Sequence, residues 1–188
     1  MDIKELEEIV KQCKKCDLYK ERAHVVVGDG NINSPIMLIG EGPGYQEDLT
    51  GIAFVGPAGQ LLNKMLSAIN LDRQKVYICN IVKCRPPKNR NPHEDEMAAC
   101  MDYLRMQYII QKPKYVLLLG SIACKNILGK DFSIMKEHGV SRVMKGTLFM
   151  PTFHPSALLR NEELKKPAWE DLKKFKKILE ESGFYEWN

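Results

Sequence analysis

A glycine-rich loop that directly follows a short apolar strand constrains this sequence more than any other feature. Residues 36–39 read Ile-Met-Leu-Ile, and three glycines then fall within five residues, at positions 40, 42 and 44. Glycine lets the backbone turn sharply and brings N–H groups close to a ligand. Open α/β sheets bind ligands at the carboxyl ends of their strands. Because Glu41 adds a carboxylate at this end, the loop predicts a ligand site.

Apolar patterns along the rest of the chain predict strands that alternate with helices. Further strands are expected at residues 76–80 and 115–120, with a hairpin at 140–150. Helices are expected at residues 3–10, 58–69, 94–110, 121–128 and 169–180. This alternation implies a three-layer α/β/α arrangement around a parallel sheet. A chain of 188 residues without internal repeats predicts a single domain over residues 1–188.

Composition and charge indicate a cytoplasmic protein that can bind a polyanion. The chain contains no apolar run of the length that a membrane span requires, so we expect it in a prokaryotic cytoplasm, away from membranes. Lysine and arginine exceed aspartate and glutamate by four, which permits a polyanionic partner. Four bases in one proline-rich loop predict a phosphate-facing patch, whereas the bases at 165–177 alternate with acids and predict a solvated helix face. The patch comprises Lys83, Arg85, Lys88 and Arg90.

Four of the six cysteines have a spacing that suggests a metal site. The chain has no export signal, and a reducing cytoplasm keeps thiols free of disulfides. Cys13 and Cys16 form a Cys-x-x-Cys pair, whereas fifteen residues separate Cys84 from Cys100. One close pair with two distant thiols fits a four-cysteine iron–sulfur cluster at least as well as tetrahedral zinc. A redox-active pair is the lesser alternative, because that motif usually opens a helix after a strand.

Three residues stand where they can either form a site or serve the fold. Phe54 lies in the glycine-rich stretch at 51–59 and can project into a cleft or join the core. Asn80 ends a predicted strand, where its amide can turn the chain or offer a donor and an acceptor to a pyrimidine edge. His154 precedes a proline that restricts its backbone, so its ring can be held toward a site or serve structure alone.

The glycine-rich loop also admits a phosphate-binding explanation and a purely structural one. Glycine-rich turns from strand to helix bind phosphates in nucleotide enzymes. The sequence has no Gly-Lys-Ser/Thr to hold a triphosphate with magnesium, and its glycines lack the spacing of the dinucleotide fingerprint. A structural turn needs the glycines for geometry only. A nucleotide-phosphate enzyme is therefore the weaker functional alternative.

Taken together, four segments resemble the family 4, iron–sulfur uracil-DNA glycosylases of bacteria and archaea. They are Gly-Glu-Gly-Pro-Gly at 40–44, the stretch at 51–62, Asn-Ile-Val-Lys-Cys-Arg-Pro-Pro at 80–87 and His-Pro-Ser at 154–156. Their order, together with the four cysteines, is specific, and the resemblance covers nearly the whole chain. It implies an α/β/α sandwich around a four-stranded parallel sheet. It also implies a [4Fe–4S] cluster in a subregion formed by 13–16 and 84–100, with the ligands Cys13, Cys16, Cys84 and Cys100.

The resemblance implies a role for each residue of the base pocket. Phe54 would stack on a flipped uracil, Asn80 would read the polar edge of the base, and His154 would stabilise negative charge on the uracil oxygen. Loop amides near Gly42 would add further donors. Asn80 would reject cytosine, whose donor and acceptor are reversed, and bulk at the methyl group would reject thymine.

Two carboxylates complete the implied catalytic set. Glu41 would position or activate the attacking water, and Glu47 is a second carboxylate in the same loop. An acid at position 41 distinguishes the chain from family 5 relatives. One departure from the family pattern is Ala157, where a bulkier residue usually follows His-Pro-Ser, and this affects the shape of the DNA-wedging loop.

The function implied is that of a monofunctional DNA glycosylase, which flips uracil out of DNA, hydrolyses its N-glycosidic bond and leaves an abasic site. The alternative from another class is a non-catalytic iron–sulfur DNA-binding module associated with replication or repair. Either Leu158 or Leu159 can be a wedge in the base stack, or both can belong to a helix core. A monomer is expected, and the sequence does not identify a replication clamp or polymerase partner. DNA contacts are expected at Arg85, Ser121, Ser156, Leu158 and Arg160.

Overall fold

A computed structural model describes residues 1–186 and places one mixed sheet between two layers of helices. The predicted domain runs to residue 188, and its last two residues lie outside the described part. The strands are β1 (Asp29–Gly30), β2 (Ile36–Gly40), β3 (Tyr77–Asn80), β4 (Tyr115–Leu119), β5 (Arg142–Met144) and β6 (Thr147–Thr152). The helices are α1 (Ile3–Lys11), α2 (Tyr45–Thr50), α3 (Pro57–Ser67), α4 (Glu94–Gln111), α5 (Ser121–Leu128), α6 (Ile134–Glu137), α7 (Pro155–Arg160) and α8 (Lys165–Glu181).

The sheet has a parallel centre and two short antiparallel edges. Its strand order is β1-β3-β2-β4-β6-β5. The four central strands are parallel, which confirms the predicted four-stranded parallel sheet. Strand β5 forms a hairpin with β6, also as predicted, and β1 adds an antiparallel edge to β3. The two residues of β1 are too few for a periodic pattern, so the sequence does not indicate this strand.

Alternating residues of the central strands supply two hydrophobic cores, one on each face of the sheet. Ile36 and Leu38 of β2 pack with α3 and α8, whereas Met37 and Ile39 pack with α1, α4 and α5. All four of these side chains are at most 2% exposed. Because a parallel sheet buried on both faces needs apolar residues at every position, its strands are uniformly apolar. The arrangement confirms the three-layer α/β/α fold.

The long helices lie close to their predicted ranges, and the short ones were missed. Helix α1 begins at a capping box, in which the Asp2 carboxylate accepts from the N–H of Glu5 at 2.9 Å. Helix α8 begins four residues before the predicted start at residue 169. Its surface bases pair with acids one turn away, for example Lys173 with Glu170, as expected of a solvated face. Helices α2 and α6 have six and four residues, which is too short for helical periodicity to be recognised.

Parallel pairing brings the carboxyl ends of four strands to one edge of the sheet. Gly40 of β2 is the register partner of Asn80 in β3, and Leu119 of β4 is the partner of Thr152 in β6. The loops that carry the predicted site residues therefore leave the sheet side by side. Within residues 1–186, no helix combines the length and the apolar character that crossing a membrane requires.

Candidate active site and cysteine site

A cleft of about 370 Å³ opens at this edge of the sheet. Its walls come from the loop after β2, the start of α3, the loop after β3 and the segment after β6. The cleft brings together residues that lie more than a hundred positions apart in the sequence, as the strand order requires. Eight predicted site residues line it, namely Glu41, Gly42, Glu47, Phe54, Asn80, His154, Ser156 and Arg160.

Phe54 has a strained backbone that its surroundings hold in place. Its φ angle is +54°, in the left-handed region that non-glycine residues rarely adopt. The Arg73 guanidinium donates to the carbonyl of Phe54 at 3.0 Å and also to that of Ala53. Helix α3 can pack against the Phe54 carbonyl only because position 59 is glycine, where a Cβ would overlap that group. The ring is thereby fixed 5.6 Å from the His154 ring, measured between centroids.

Asn80 presents a buried polar atom to the same cleft. The residue is 1% exposed, and its Oδ1 has no hydrogen-bond partner among the described residues. Buried amide oxygens are nearly always paired, so this atom is suited to accept from a bound molecule. A Cβ at Gly40 would lie 2.5 Å from Asn80 Oδ1 and 2.6 Å from Cζ of Phe54. Glycine at position 40 therefore makes room for both side chains.

His154 is a neutral hydrogen-bond donor in this geometry. Burial, assisted by the positive charge of Arg160, lowers the pKa of His154 to about 4. Its Nδ1 accepts from the backbone N–H of Ser156 at 3.1 Å and lies 2.7 Å from the Ser156 hydroxyl oxygen. A neutral imidazole that accepts at Nδ1 carries its proton on Nε2. The proton on Nε2 can therefore be donated to a negative atom without a change in the charge of the ring.

Glu41 and Glu47 differ in how their carboxylates are used. Glu41 is half-buried in the cleft wall, and burial raises the pKa of its carboxyl against the opposing charge of Arg160. Glu47 is 8% exposed, and its carboxylate accepts from the N–H groups of Gly44, Val55 and Gly56 at 3.1, 2.8 and 2.7 Å. These bonds join the loop after β2 to the start of α3. Glu47 is thus a brace for the cleft rather than a free catalytic carboxylate.

The two leucines of α7 have opposite environments, which corrects the predicted DNA contact. Leu158 is 2% exposed and packs in the core below α7. Leu159 is 50% exposed and lines the cleft. A wedge must reach the base stack, so Leu158 is excluded by burial and Leu159 has the required position. Arg160, which is also exposed, lies beside it at the cleft.

Arg85 and Ser121 lie outside the lining of the cleft. The Arg85 guanidinium is 5.1 Å from the centroid of the Tyr45 ring, and its Nε donates to Asn89 Oδ1 at 2.7 Å. Both partners line the cleft, so Arg85 stands at its mouth. Ser121 is half-buried at the start of α5, next to Gly120, which packs against His154. Sequence reasoning missed Tyr45 and Asn89, whose only signal is that they lie in the connections that follow β2 and β3, Tyr45 at the start of α2.

The predicted phosphate-facing patch is wrong for one of its four bases. Lys83 is 1% exposed and lies inside the protein. Arg90 forms a two-pronged ion pair with Glu96 at 2.9 and 2.6 Å. Lys88 is exposed, and Arg85 lies at the cleft mouth as described. The sequence did not reveal these contacts, because the partners Gln107 and Glu96 lie in helix α4.

Cys13, Cys16, Cys84 and Cys100 converge on a second cavity, on the opposite side of β3 from the Phe54 core. Measured in the same way as the cleft, the space that they surround is small, about 10 Å³. In the described part of the chain, no three His, Cys, Asp or Glu side chains are grouped to hold a single metal ion.

Burial favours the protonated form of three of these cysteines, because it raises the pKa of their thiols. It raises the pKa of Cys16 and Cys100, and that of Cys84 to about 11. The Arg22 guanidinium opposes the shift at Cys84, because it donates to the Cys84 sulfur at 3.2 Å. All six cysteines of the chain are free. Metal binding at this site therefore requires the release of protons, with Arg22 favouring the thiolate form.

Comparison with known proteins gives matches over most of the chain. The family model described as Uracil DNA glycosylase superfamily matches residues 27–173. A type-4 uracil-DNA glycosylase from Thermotoga maritima is 45% identical, over 94% of this chain and 94% of that protein. Another from Sulfurisphaera tokodaii is 43% identical, over 94% of this chain and 84% of that protein. A type-5 uracil-DNA glycosylase from Pyrobaculum aerophilum is 32% identical, over 69% of this chain and 64% of that protein.

Proposed function

Because this chain belongs to the uracil DNA glycosylase superfamily, and within it to the type-4 enzymes, we propose that its cleft hydrolyses the N-glycosidic bond of uracil in DNA. The chain is thus a hydrolase of DNA repair. The observation that carries the proposed mechanism is the meeting of Phe54, Asn80 and His154 in one cleft. A non-catalytic DNA-binding module is not favoured, because the relatives matched over nearly their whole length are glycosylases.

Base recognition follows from the fixed ring and the unpaired amide oxygen. A uracil must leave the duplex to reach the cleft, which costs on the order of a few kcal/mol in unstacking and unpairing. The immobilised Phe54 ring offers a surface on which the base stacks. Asn80 Oδ1 accepts the N–H of the uracil ring, and the amide nitrogen donates to the neighbouring oxygen. Cytosine has an acceptor where uracil has that N–H, so it leaves the buried oxygen unpaired and is rejected.

His154 stabilises the leaving group. When the bond between sugar and base breaks, its electron pair stays on the uracil, and negative charge develops on the base oxygens. The Nε2–H of neutral His154 donates to one of these oxygens. Because the pKa of His154 is about 4, the ring does not need to lose a proton before it can act at neutral pH. The Ser156 N–H holds the ring in the required tautomer.

Glu41 acts on the sugar side of the bond. The departing base leaves a cationic sugar carbon, which a carboxylate stabilises and a water molecule attacks. The water oxygen bonds to the sugar carbon, and its proton passes to the Glu41 carboxylate. Burial raises the pKa of Glu41 and so makes it a better base than an exposed carboxylate. Glu47 keeps the loop in place through its three backbone bonds.

The reaction ends at an abasic site, because the cleft offers no amine nucleophile. None of the described residues that line it is a lysine. Lys83 lies near Asn80 in sequence, but it is buried on the other side of the strand end. A strand-cleaving glycosylase needs an amine that attacks the sugar carbon. We therefore infer monofunctional chemistry.

DNA is held by the rim of the cleft. Leu159 supplies an exposed apolar side chain of the kind that fills a gap in the base stack. Arg160 supplies positive charge to phosphates at the cleft, and the exposed Lys88 supplies it from the loop after β3. Ser156 adds a hydroxyl at the same rim. A monomeric state, a place in the prokaryotic cytoplasm and a clamp or polymerase partner stay predictions.

The four cysteines are proposed to hold a [4Fe–4S] cluster with a structural task. Such a cluster, when bound, supplies a cross-link between the segment after α1, the loop after β3 and helix α4. Support comes from the shared cavity of the four sulfurs and from an all-thiolate donor set, which iron–sulfur clusters favour. Arg22 supplies positive charge to the site and also donates to the Lys11 carbonyl at 2.8 Å, which ties α1 to it.

The test of the function is incubation with an oligonucleotide that carries one uracil, followed by alkaline cleavage. We expect a single cut at the uracil and intact matched strands that carry thymine or cytosine. Binding of the uracil strand without release of the base would instead support the non-catalytic module. A brown colour with about four irons per chain is expected for the purified protein, and zinc in place of iron would contradict the proposed cluster.

A further inference from the structure

Lys83 is a charged side chain that lies inside the protein between the cleft and the cysteine site. It is 1% exposed and is among the largest fully buried side chains. A buried ammonium group is tolerated only where hydrogen bonds and negative charge replace its hydration. The contacts of Lys83 therefore indicate what it does.

The amino group of Lys83 is bonded to the end of strand β3. Nζ donates to the carbonyl oxygen of Asn80 at 2.6 Å and to Oε1 of Gln107 in α4 at 2.6 Å. Such short distances are typical of charge-assisted hydrogen bonds. Gln107 is fixed in turn, because its Nε2 donates to the Val27 carbonyl at 2.8 Å and to the Tyr77 hydroxyl at 2.9 Å. Lys83 thus anchors the backbone from which the Asn80 side chain enters the cleft.

The rest of Lys83 belongs to the cysteine site. The next residue along the chain, Cys84, supplies one of the four sulfurs. Lys83 also lines the cavity that the cysteines surround. One residue therefore contacts both the base-reading asparagine and the cysteine site.

We propose that Lys83 is a positioning residue, which holds Asn80 in register with the base by anchoring the end of β3 to α4 and to the cysteine site. This inference rests on the proposed glycosylase function and on the role of Asn80 in it. Lys83 does not touch the substrate, since the described lining of the cleft contains no lysine. A change at the cysteine site is transmitted to base selection through this contact.

The first test is Lys83→Met, which keeps the length of the side chain and removes its donors. Lys64→Met, at an exposed lysine of α3, is the matched control. We expect Lys83→Met to lower the single-turnover rate on uracil about tenfold, the loss of one strong hydrogen bond. Selectivity for uracil over cytosine narrows, and affinity for a duplex with non-hydrolysable 2′-fluorodeoxyuridine falls. The control retains wild-type values throughout.

A double-mutant cycle with Asn80→Ala decides whether Lys83 acts through Asn80. If it does, the double variant is no slower than Asn80→Ala alone, because the residue that Lys83 positions is already absent. The proposal would be overturned if the rate losses of the two single variants multiplied in the double variant. It would also be overturned by a Lys83→Met protein with wild-type rate and selectivity. Lys83→Gln, which keeps a donor, recovers part of the rate and enters the cycle if Lys83→Met does not fold. A wild-type protein that releases no uracil would overturn the proposed function instead.

Discussion

The base cleft and the cysteine site lie at opposite ends of one segment, residues 80–84, yet they are held in different ways. In the cleft, protein groups fix each side chain: Arg73 clamps the backbone at Phe54, and Glu47 braces the loop after β2. At the cysteine site the four sulfurs line one cavity. Among the described residues, no three His, Cys, Asp or Glu side chains are grouped so that they could hold a metal ion. The cleft is thus preorganised by the polypeptide itself, whereas the proposed cluster would complete the cysteine site. Changes in the cleft should alter rate, and changes at the cysteines should alter stability.

The largest effect is expected on the free energy of unfolding, for a substitution at the cysteine site. Cys84→Ser should lower the free energy of unfolding by on the order of 5 kcal/mol, since metal binding at structural sites is coupled to folding. Iron content and thermal unfolding measure this effect. Cys124→Ser is the matched control, at a buried cysteine of α5 outside the site, and should keep its iron with a loss of only about 1–2 kcal/mol. Equal stability of the two variants would remove the contrast between cleft and cysteine site.

In the cleft, His154→Ala should lower the rate of base release by about 10²–10³-fold, the usual effect of losing one donor to a developing anion. The melting temperature should fall to a much smaller extent, because the variant also loses the hydrogen bond that His154 accepts from the Ser156 N–H at the start of α7. His93→Ala, whose side chain is 63% exposed, is the control. Single-turnover kinetics with a uracil duplex provide the measurement.

A pH titration of His154 provides a second test of its role as a neutral donor. The pKa of His154 is about 4 in the folded protein, below the value of about 6.5 for an exposed histidine. The unfolded chain therefore binds a proton more readily, so the contribution of His154 to stability is present above pH 6.5 and is lost as the pH falls toward 4. NMR titration of the imidazole should show a neutral ring at pH 6. A ring that is protonated at that pH would contradict its assignment as a neutral donor.

A smaller effect is expected on selectivity. Asn80→Asp should narrow the preference for uracil over cytosine by about tenfold, because a carboxyl group changes the donor and acceptor presented to the base. Rates on duplexes with uracil or cytosine at one position measure the ratio. Asn33→Asp, in an exposed loop, should leave it unchanged. An unaltered ratio in Asn80→Asp would mean that another group reads the base.

The smallest expected effect tests the clamp on Phe54. Arg73→Lys keeps the charge but cannot hold the carbonyls of Ala53 and Phe54 together with Asp29. Relaxation of the strained φ at Phe54 should lower the rate by about threefold to tenfold, from roughly 1 kcal/mol of lost preorganisation. The exposed Arg105→Lys is the control. If Arg73→Lys changes stability and not rate, the clamp serves the fold alone.

Long periodic elements and the order of motifs could be predicted from the sequence, because both depend on neighbouring residues. Helix α5 was predicted at its observed bounds, and the site motifs follow strands whose parallel order forces their ends together. Lys83 was wrongly predicted to face phosphates. Its partner Gln107 lies 24 positions away, and no local pattern indicates that this lysine is buried. The six residues of α7 give too little periodicity to tell which of its two leucines faces the core. The clamp by Arg73 likewise joins residues 19 positions apart.

The absence of a side chain at Gly40 leaves the space that the base pocket needs. A methyl group there would meet both Asn80 and Phe54, so this position offers no gradual adjustment between an open pocket and a closed one. A redesign of the enzyme for larger or smaller bases must therefore work from the opposite wall. In a Gly40→Ala variant, the rim that faces DNA should be retained, whereas the pocket should no longer recognise the base.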